Sequence, residues 1–183
     1  MQSVTRSVTI ESRAPLMLDP YAGDNKTALP PEQKFYFGAN GKLIIPAINL
    51  HSMLCALNTR SAVKMFYDPR QYKGVAAAVL GFVVLRPHEI PLMRDGKQIE
   101  FQGFGKNGIT LRKDVARLQG GIPNPKQRPV IAEPWGLSFE LEIFENDVIS
   151  EPALRNLFVQ AGAAIGIGTY RGVFGKFAVT TWE

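Results

Sequence analysis

Apolar and polar positions alternate along two stretches of the chain with the two-residue period of a half-buried strand. Residues 3–11 place Val4, Val8 and Ile10 on one side. Residues 136–144 alternate without a break, with Leu137, Phe139, Leu141 and Ile143 facing one way and Ser138, Glu140 and Glu142 the other. Over residues 75–85 the apolar positions run on continuously, and the β-branched content with Gly81 predicts a strand buried on both faces. Residues 177–182 predict a closing strand. Two stretches have helical spacing instead. In residues 46–66, Asn49 is placed to cap a helix whose apolar stripe is Leu50, Met53, Leu54, Leu57, Ala62, Met65 and Phe66, with His51, Asn58, Arg60 and Lys64 largely off it. In residues 151–164, Pro152 suits a first turn and Leu154, Leu157, Phe158 and Ala161 repeat at three and four.

Two segments interrupt these patterns. Residues 12–40 hold Pro15, Pro20, Pro30, Pro31, Gly23, Asp24 and Asn25, which predicts a long irregular connection before a short strand at 42–45. Residues 86–134 are rich in proline and glycine, and 99–102 with 109–111 are expected to pair as a hairpin around Gly105-Lys106-Asn107-Gly108. This segment is expected to project from the core and to gain order from a partner. With the short strand at 42–45 set aside, the elements run β-α-β, insertion, β-α-β. That order predicts an α+β, ferredoxin-like (RRM-like) βαββαβ core, with residues 1–183 as one domain and a basic insertion at about 86–134 between the second and third strands.

Composition narrows the chemistry. At 183 residues, with 45% hydrophobic and 20% charged, the chain can bury a core. Its single cysteine, Cys55, forms no internal disulfide and no cysteine zinc site. His51 and His88 lack metal-ligand spacing, so neither metal nor cofactor is expected. The apolar run at 75–85 is far short of the ~20 residues of a membrane helix. No signal-like start is evident, and a cytoplasmic location with no membrane partner is expected. The net charge of +5 is unevenly spread: nine basic against five acidic residues in 1–85, nine against four in 86–128, and three against seven in 129–183. The basic part suits a polyanion, and the acidic end suits the basic face of another copy.

The densest chemical signal lies at 161–177, where Gly162, Gly166, Gly168, Gly172 and Gly175 are interrupted by Tyr170, Arg171 and Lys176. Glycine permits close backbone approach, and cations beside exposed amides favour a phosphate. The alternative is a tight turn whose glycines relieve crowding. Neither a P-loop nor a dinucleotide fingerprint is present. Tyr21, Tyr67, Tyr72, Phe101, Phe104 and Tyr170 lie among loops and basic residues, where aromatic faces stack unpaired bases. Tyr170 is the foremost of these, and core packing is the alternative for Phe101 and Phe104.

The element order and two local motifs resemble the CRISPR-associated RAMP superfamily, in particular its guide-RNA backbone subunits. Ile45-Pro46-Ala47-Ile48-Asn49-Leu50-His51-Ser52 is similar to the family's strand-to-helix motif, with His51 and Cys55 where that motif has a lysine and an arginine. Gly166-Ile167-Gly168-Thr169-Tyr170-Arg171, followed by Gly175-Lys176-Phe177, is similar to its glycine-rich loop, and residues 86–134 fall where such subunits carry a hairpin thumb. The resemblance implies a non-catalytic protein of antiviral defence that coats a single-stranded guide RNA and oligomerises along it with its own copies and other subunits. The RNA-binding residues it implies are Gly166, Gly168, Tyr170, Arg171, Lys176, His51, Arg60, Lys97, Lys106, Arg112, Lys113 and Arg117. Two rival expectations are a metal-independent endoribonuclease using His51, and a mimic that caps or inhibits a complex through protein contacts. Some relatives cleave with a loop aspartate, but no motif ties Asp19 or Asp24 to that role.

Overall fold

The computed structural model describes residues 1–24, 26–117 and 119–183, so Asn25 of the irregular connection and Leu118 of the insertion lie outside the described residues. Alternation builds the centre of the fold. β1 (Ser3–Ser12) and β10 (Gly136–Phe144) pair antiparallel over their length, with Val8 opposite Phe139 and Ile10 opposite Leu137. β11 (Phe177–Trp182) pairs with the outer edge of β1, and β4 (Val83–Arg86) pairs antiparallel with β10, giving the order β11-β1-β10-β4. The apolar sides of these strands share one core cluster with the helices α1 (Ala47–Cys55), α2 (Ala62–Phe66), α3 (Tyr72–Phe82) and α4 (Glu151–Ala164). The opposite side of the sheet is polar and open, from Ser7 and Thr9 to Ser138 and Glu140.

Helix α4 forms with the predicted bounds. The Ser150 hydroxyl accepts from the Ala153 amide, Pro152 occupies the first turn, and Leu154, Leu157, Phe158 and Ala161 are buried. Two expectations are corrected. The stretch 75–85 is not a strand through its length: residues up to Phe82 are helical, and only Val83–Arg86 is extended. Ala76, Ala77 and Ala78 favour helix, while Val75, Ala76 and Val79 fall on one helical face and are buried there. The single helix expected over 46–66 is two, because residues 56–61 leave helical geometry. Its cap is Pro46 rather than Asn49, and the chain bends at residues 57–59.

The segment 86–134 is part of the fold at its base. β5 (Glu89–Pro91) pairs with β3 (Ile44–Pro46), and β6 (Met93–Arg94) pairs with β7 (Lys97–Gln98) and with Gly136. Ile90, Leu92, Ile99, Ile109 and Ile131 are all in the core. The expected hairpin at 99–102 and 109–111 is displaced: β8 (Ile109–Arg117) pairs with β9 (Pro123–Ile131) in a regular nine-residue ladder. Prolines at 123, 125 and 129 do not break β9, which keeps its ladder with β8 from Pro123 to Ile131. Its other edge pairs with β2 (Leu16–Met17) at Val130 and Ile131, and the Leu18 amide donates to the Pro129 carbonyl, so Pro123 and Pro125 lie on the open edge beyond that pairing. Phe35, Phe101 and Phe104 pack ring on ring, with centroids 4.7 to 6.4 Å apart, which is the core alternative for the latter two. Trp135 joins the insertion to β1, its amide donating to Ser12 Oγ and its indole N–H to the Ala14 carbonyl. Trp182 of β11 packs edge-on against Phe158 and donates to Glu151.

Candidate nucleic-acid interface

The loop from Ile165 to Lys176 is a plug. Ile165 and Ile167 have no exposure, and Phe174 and Phe177 are buried. Its backbone then folds tightly on itself and on the start of the 12–40 connection. A Cβ on Gly175 would lie 2.0 Å from the Ile167 carbonyl oxygen, and one on Gly168 would lie 2.4 Å from that of Met17; both residues have positive φ. The amides of Gly166, Ile167, Thr169, Gly172, Phe174 and Gly175 donate to carbonyls of Ala161, Gly175, Met17, Ile165, Tyr170 and Pro15 in turn. Those six amides are therefore already spent within the chain, which turns attention to the loop's side chains.

Those side chains meet others from distant parts of the sequence. Tyr170 takes a left-handed conformation, φ 54°, and is 55% exposed. Its ring lies 5.9 Å from that of Phe174, and the guanidinium of Arg112, from β8, lies 5.4 Å from the Phe174 centroid. Arg171 is half-buried and donates through Nη2 to Thr59 Oγ1 at 2.8 Å; burial lowers its pKa, and no carboxylate pairs with it among the described residues. Arg60 comes in beside it, Nη1 standing 3.0 Å from the position a Gly172 Cβ would take, while its Nη2 contacts Met65 Sδ. The fold thus brings together Gly166, Gly168, Tyr170, Arg171, Arg60 and Arg112. Lys176 is half-buried at the end of the loop, its carbonyl accepting from the Arg13 amide.

The other residues expected here lie elsewhere. His51 lines a cleft of about 350 Å³ with Ile48, Leu80, Val84 and His88. Burial, and secondarily His88, lowers its pKa, and its Nδ1 has no hydrogen-bond partner among the described residues. Lys97 lines a hollow at the base of the insertion with Lys42, Asp95 and Glu100, and Lys106 lies in the turn before β8. Lys113 and Arg117 are exposed on β8. Asp24 is occupied by the amides of Lys26 and Thr27 and by the Thr27 hydroxyl. Among the described residues no group of three or more His, Cys, Asp or Glu is placed to hold a metal, and no helix is long and apolar enough to cross a membrane.

Sequence reasoning missed Phe174, Thr59 and an ionic chain that fixes the hairpin. Asp19 accepts from Arg128 at 2.9 Å and pairs with Lys34 at 3.0 Å; Arg128 also reaches Asp114 at 3.4 Å, and Asp114 holds Arg112 Nε at 3.0 Å. Burial opposes ionisation of Asp19, but hydrogen bonds from Arg128 and Lys34 outweigh it and hold the carboxyl below its ordinary range. Correct pairing of β8 with β9 is the signal that would have found this chain, since it sets Arg112 opposite Arg128 and Asp114 opposite Lys126.

No protein-family model matches the chain, and no curated protein matches it by sequence. Its fold is shared with a chain in the cryo-EM structure of the Type III-B Cmr-beta bound to cognate target RNA, at TM-score 0.63 and 14% identity. The match covers 99% of the present chain and 60% of that one, so the present chain spans less than two thirds of its length.

Proposed function

We propose that this chain is a non-catalytic, RAMP-type RNA-binding protein that holds a single-stranded guide RNA by its phosphates and lines up in copies along it. Three things support the reading. The order β11-β1-β10-β4, with helices between β1 and β4 and between β10 and β11, is the order that the proposed ferredoxin-like core calls for. The fold likeness runs over 99% of the chain to a component of an RNA-bound assembly. Arg171 carries the reading furthest. A half-buried guanidinium bonded to a threonine hydroxyl, with no carboxylate beside it among the described residues, is costly in isolation, and an incoming anion offsets that cost. Tyr170 and Arg60 beside it offer a ring face for an unpaired base and a second cation. Phosphate contacts dominate such a site, so sequence preference should be slight.

Arg171→Ala should weaken single-stranded RNA binding by about 1–3 kcal/mol while leaving the thermal melt in place. Equal affinity in filter binding would remove the phosphate role and leave the loop as a structural plug. Incubating a hairpin RNA with the protein in EDTA checks the absence of catalysis. Cleavage that disappears in His51→Ala would replace this reading with that of an endoribonuclease.

A further inference from the structure

The two faces of the β8–β9 hairpin are not equivalent. Directly opposed residues of an antiparallel pair share a face and neighbours along a strand alternate, so Arg112, Asp114, Lys126 and Arg128 lie together while Lys113, Gln127 and Arg117 lie on the reverse. The first face is the one joined to the glycine loop, through Arg112 over Phe174 and Phe174 against Tyr170. Charge on that face is only partly satisfied. Arg128 is buried and spent on Asp19 and Asp114. Arg112 gives Asp114 its Nε alone and keeps 48% of its side chain exposed, and Lys126 is in no ion pair among the described residues. On the reverse face, Arg117 Nη1 donates to the Gly121 carbonyl and so closes the hairpin's own end.

We infer that a single RNA strand crosses the Tyr170 ring and continues along the Arg112–Lys126 face of the hairpin, leaving Lys113 and Arg117 off its path. This rests on the reading of the glycine loop as an RNA site. Cations approach the Tyr170–Phe174 ring pair from two sides: Arg171 follows Tyr170 in the loop, bonded to Thr59 and with Arg60 close by at Gly172, and Arg112 comes from the hairpin over Phe174. Such a platform suits an internal nucleotide, with one phosphate held before the stacked base and another after it. Asp114 is a positioning residue: it accepts from Arg112 Nε and leaves both Nη groups without a carboxylate among the described residues. A duplex offers no free base face to Tyr170, so the partner is a single strand.

The test uses the full chain and a fluorescein-labelled oligouridine of about 15 nucleotides, followed by anisotropy over a series of salt concentrations, with melts to confirm folding. Lys126→Ala and Arg112→Ala should each lose about five- to tenfold in affinity and flatten the salt slope by about 0.7, one phosphate contact on a single strand. Lys113→Ala should stay within about twofold with its slope unchanged. A Lys113→Ala loss equal to that of Lys126→Ala overturns the inference, as does a Lys126→Ala variant that binds like the parent while Arg171→Ala does not. If Arg171→Ala also binds like the parent, it is the glycine-loop site itself that fails. Should Arg112→Ala melt early, Arg112→Lys keeps the charge without the planar fork and must lose affinity while retaining the slope.

Discussion

The glycine loop and the β8–β9 hairpin touch each other through Phe174 and Arg112, yet they are held in place by different physics. The loop is fixed by backbone hydrogen bonds and by the absence of Cβ atoms where main chains nearly meet. The hairpin is fixed at its root by buried ions, Arg128 between Asp19 and Asp114 with Lys34 behind. Close packing of neutral backbone is insensitive to salt and pH and intolerant of a single carbon. Ion pairs have the opposite weaknesses. The surface that the two form joins a rigid wall to an arm whose footing depends on charge.

The sharpest way to break this contrast is to add one methyl group to each region. Gly175→Ala puts a carbon 2.0 Å from the Ile167 carbonyl oxygen at a φ of 71°, and should cost about 4 kcal/mol or more in urea denaturation. Gly120→Ala, at the hairpin turn, meets no atom within 4 Å and should cost only ~1 kcal/mol for its positive φ. Equal costs would show that the loop can relax and is no wall.

The ionic footing is tested next. Asp19→Ala leaves Lys34 and Arg128, with side chains 11% and 10% exposed, short of a carboxylate, and should cost about 3 kcal/mol. A variant as stable as the parent would mean that solvent already satisfies both cations.

Acid should give the smallest effect. Asp19 has a folded-state pKa below its ordinary 3.8, so its contribution is complete above that value and is lost as pH falls through the folded value. Melting temperature should therefore drop below about pH 4 in the parent, and less steeply in Asp19→Asn. Parallel profiles would assign the acid limb to other carboxylates.

Much of this was legible from pattern. β10 alternates strictly because one face meets the helices and the other meets water, and α4 declares itself through Ser150, Pro152 and its apolar spacing. The error at 75–85 came from taking valines as strand formers while three consecutive alanines and the burial of Val75 and Val79 on one helical face decided for helix. In the insertion, glycine-asparagine turn chemistry at 105–108 drew the hairpin too early; the long ladder forms where Pro123 and Pro125 of β9 sit on its open edge. The candidate site was half visible. Tyr170 and Arg171 stand inside the glycine run, whereas Arg112 and Arg60 reach it only through tertiary contact. Glycine spacing alone does not distinguish amides aimed at a ligand from amides spent on Met17 and Pro15.

Trp135 and Trp182 give the molecule a pair of native optical probes. Trp135, 2% exposed, sits where the insertion enters β10, bonded to the chain just after β1, and Trp182 sits in the closing strand against Phe158. With Trp182 replaced by phenylalanine, the remaining emission reports the seam under the hairpin. With Trp135 replaced instead, it reports the strand that follows the glycine loop. The loosening of arm and wall can then be watched separately in one cuvette without attaching a dye.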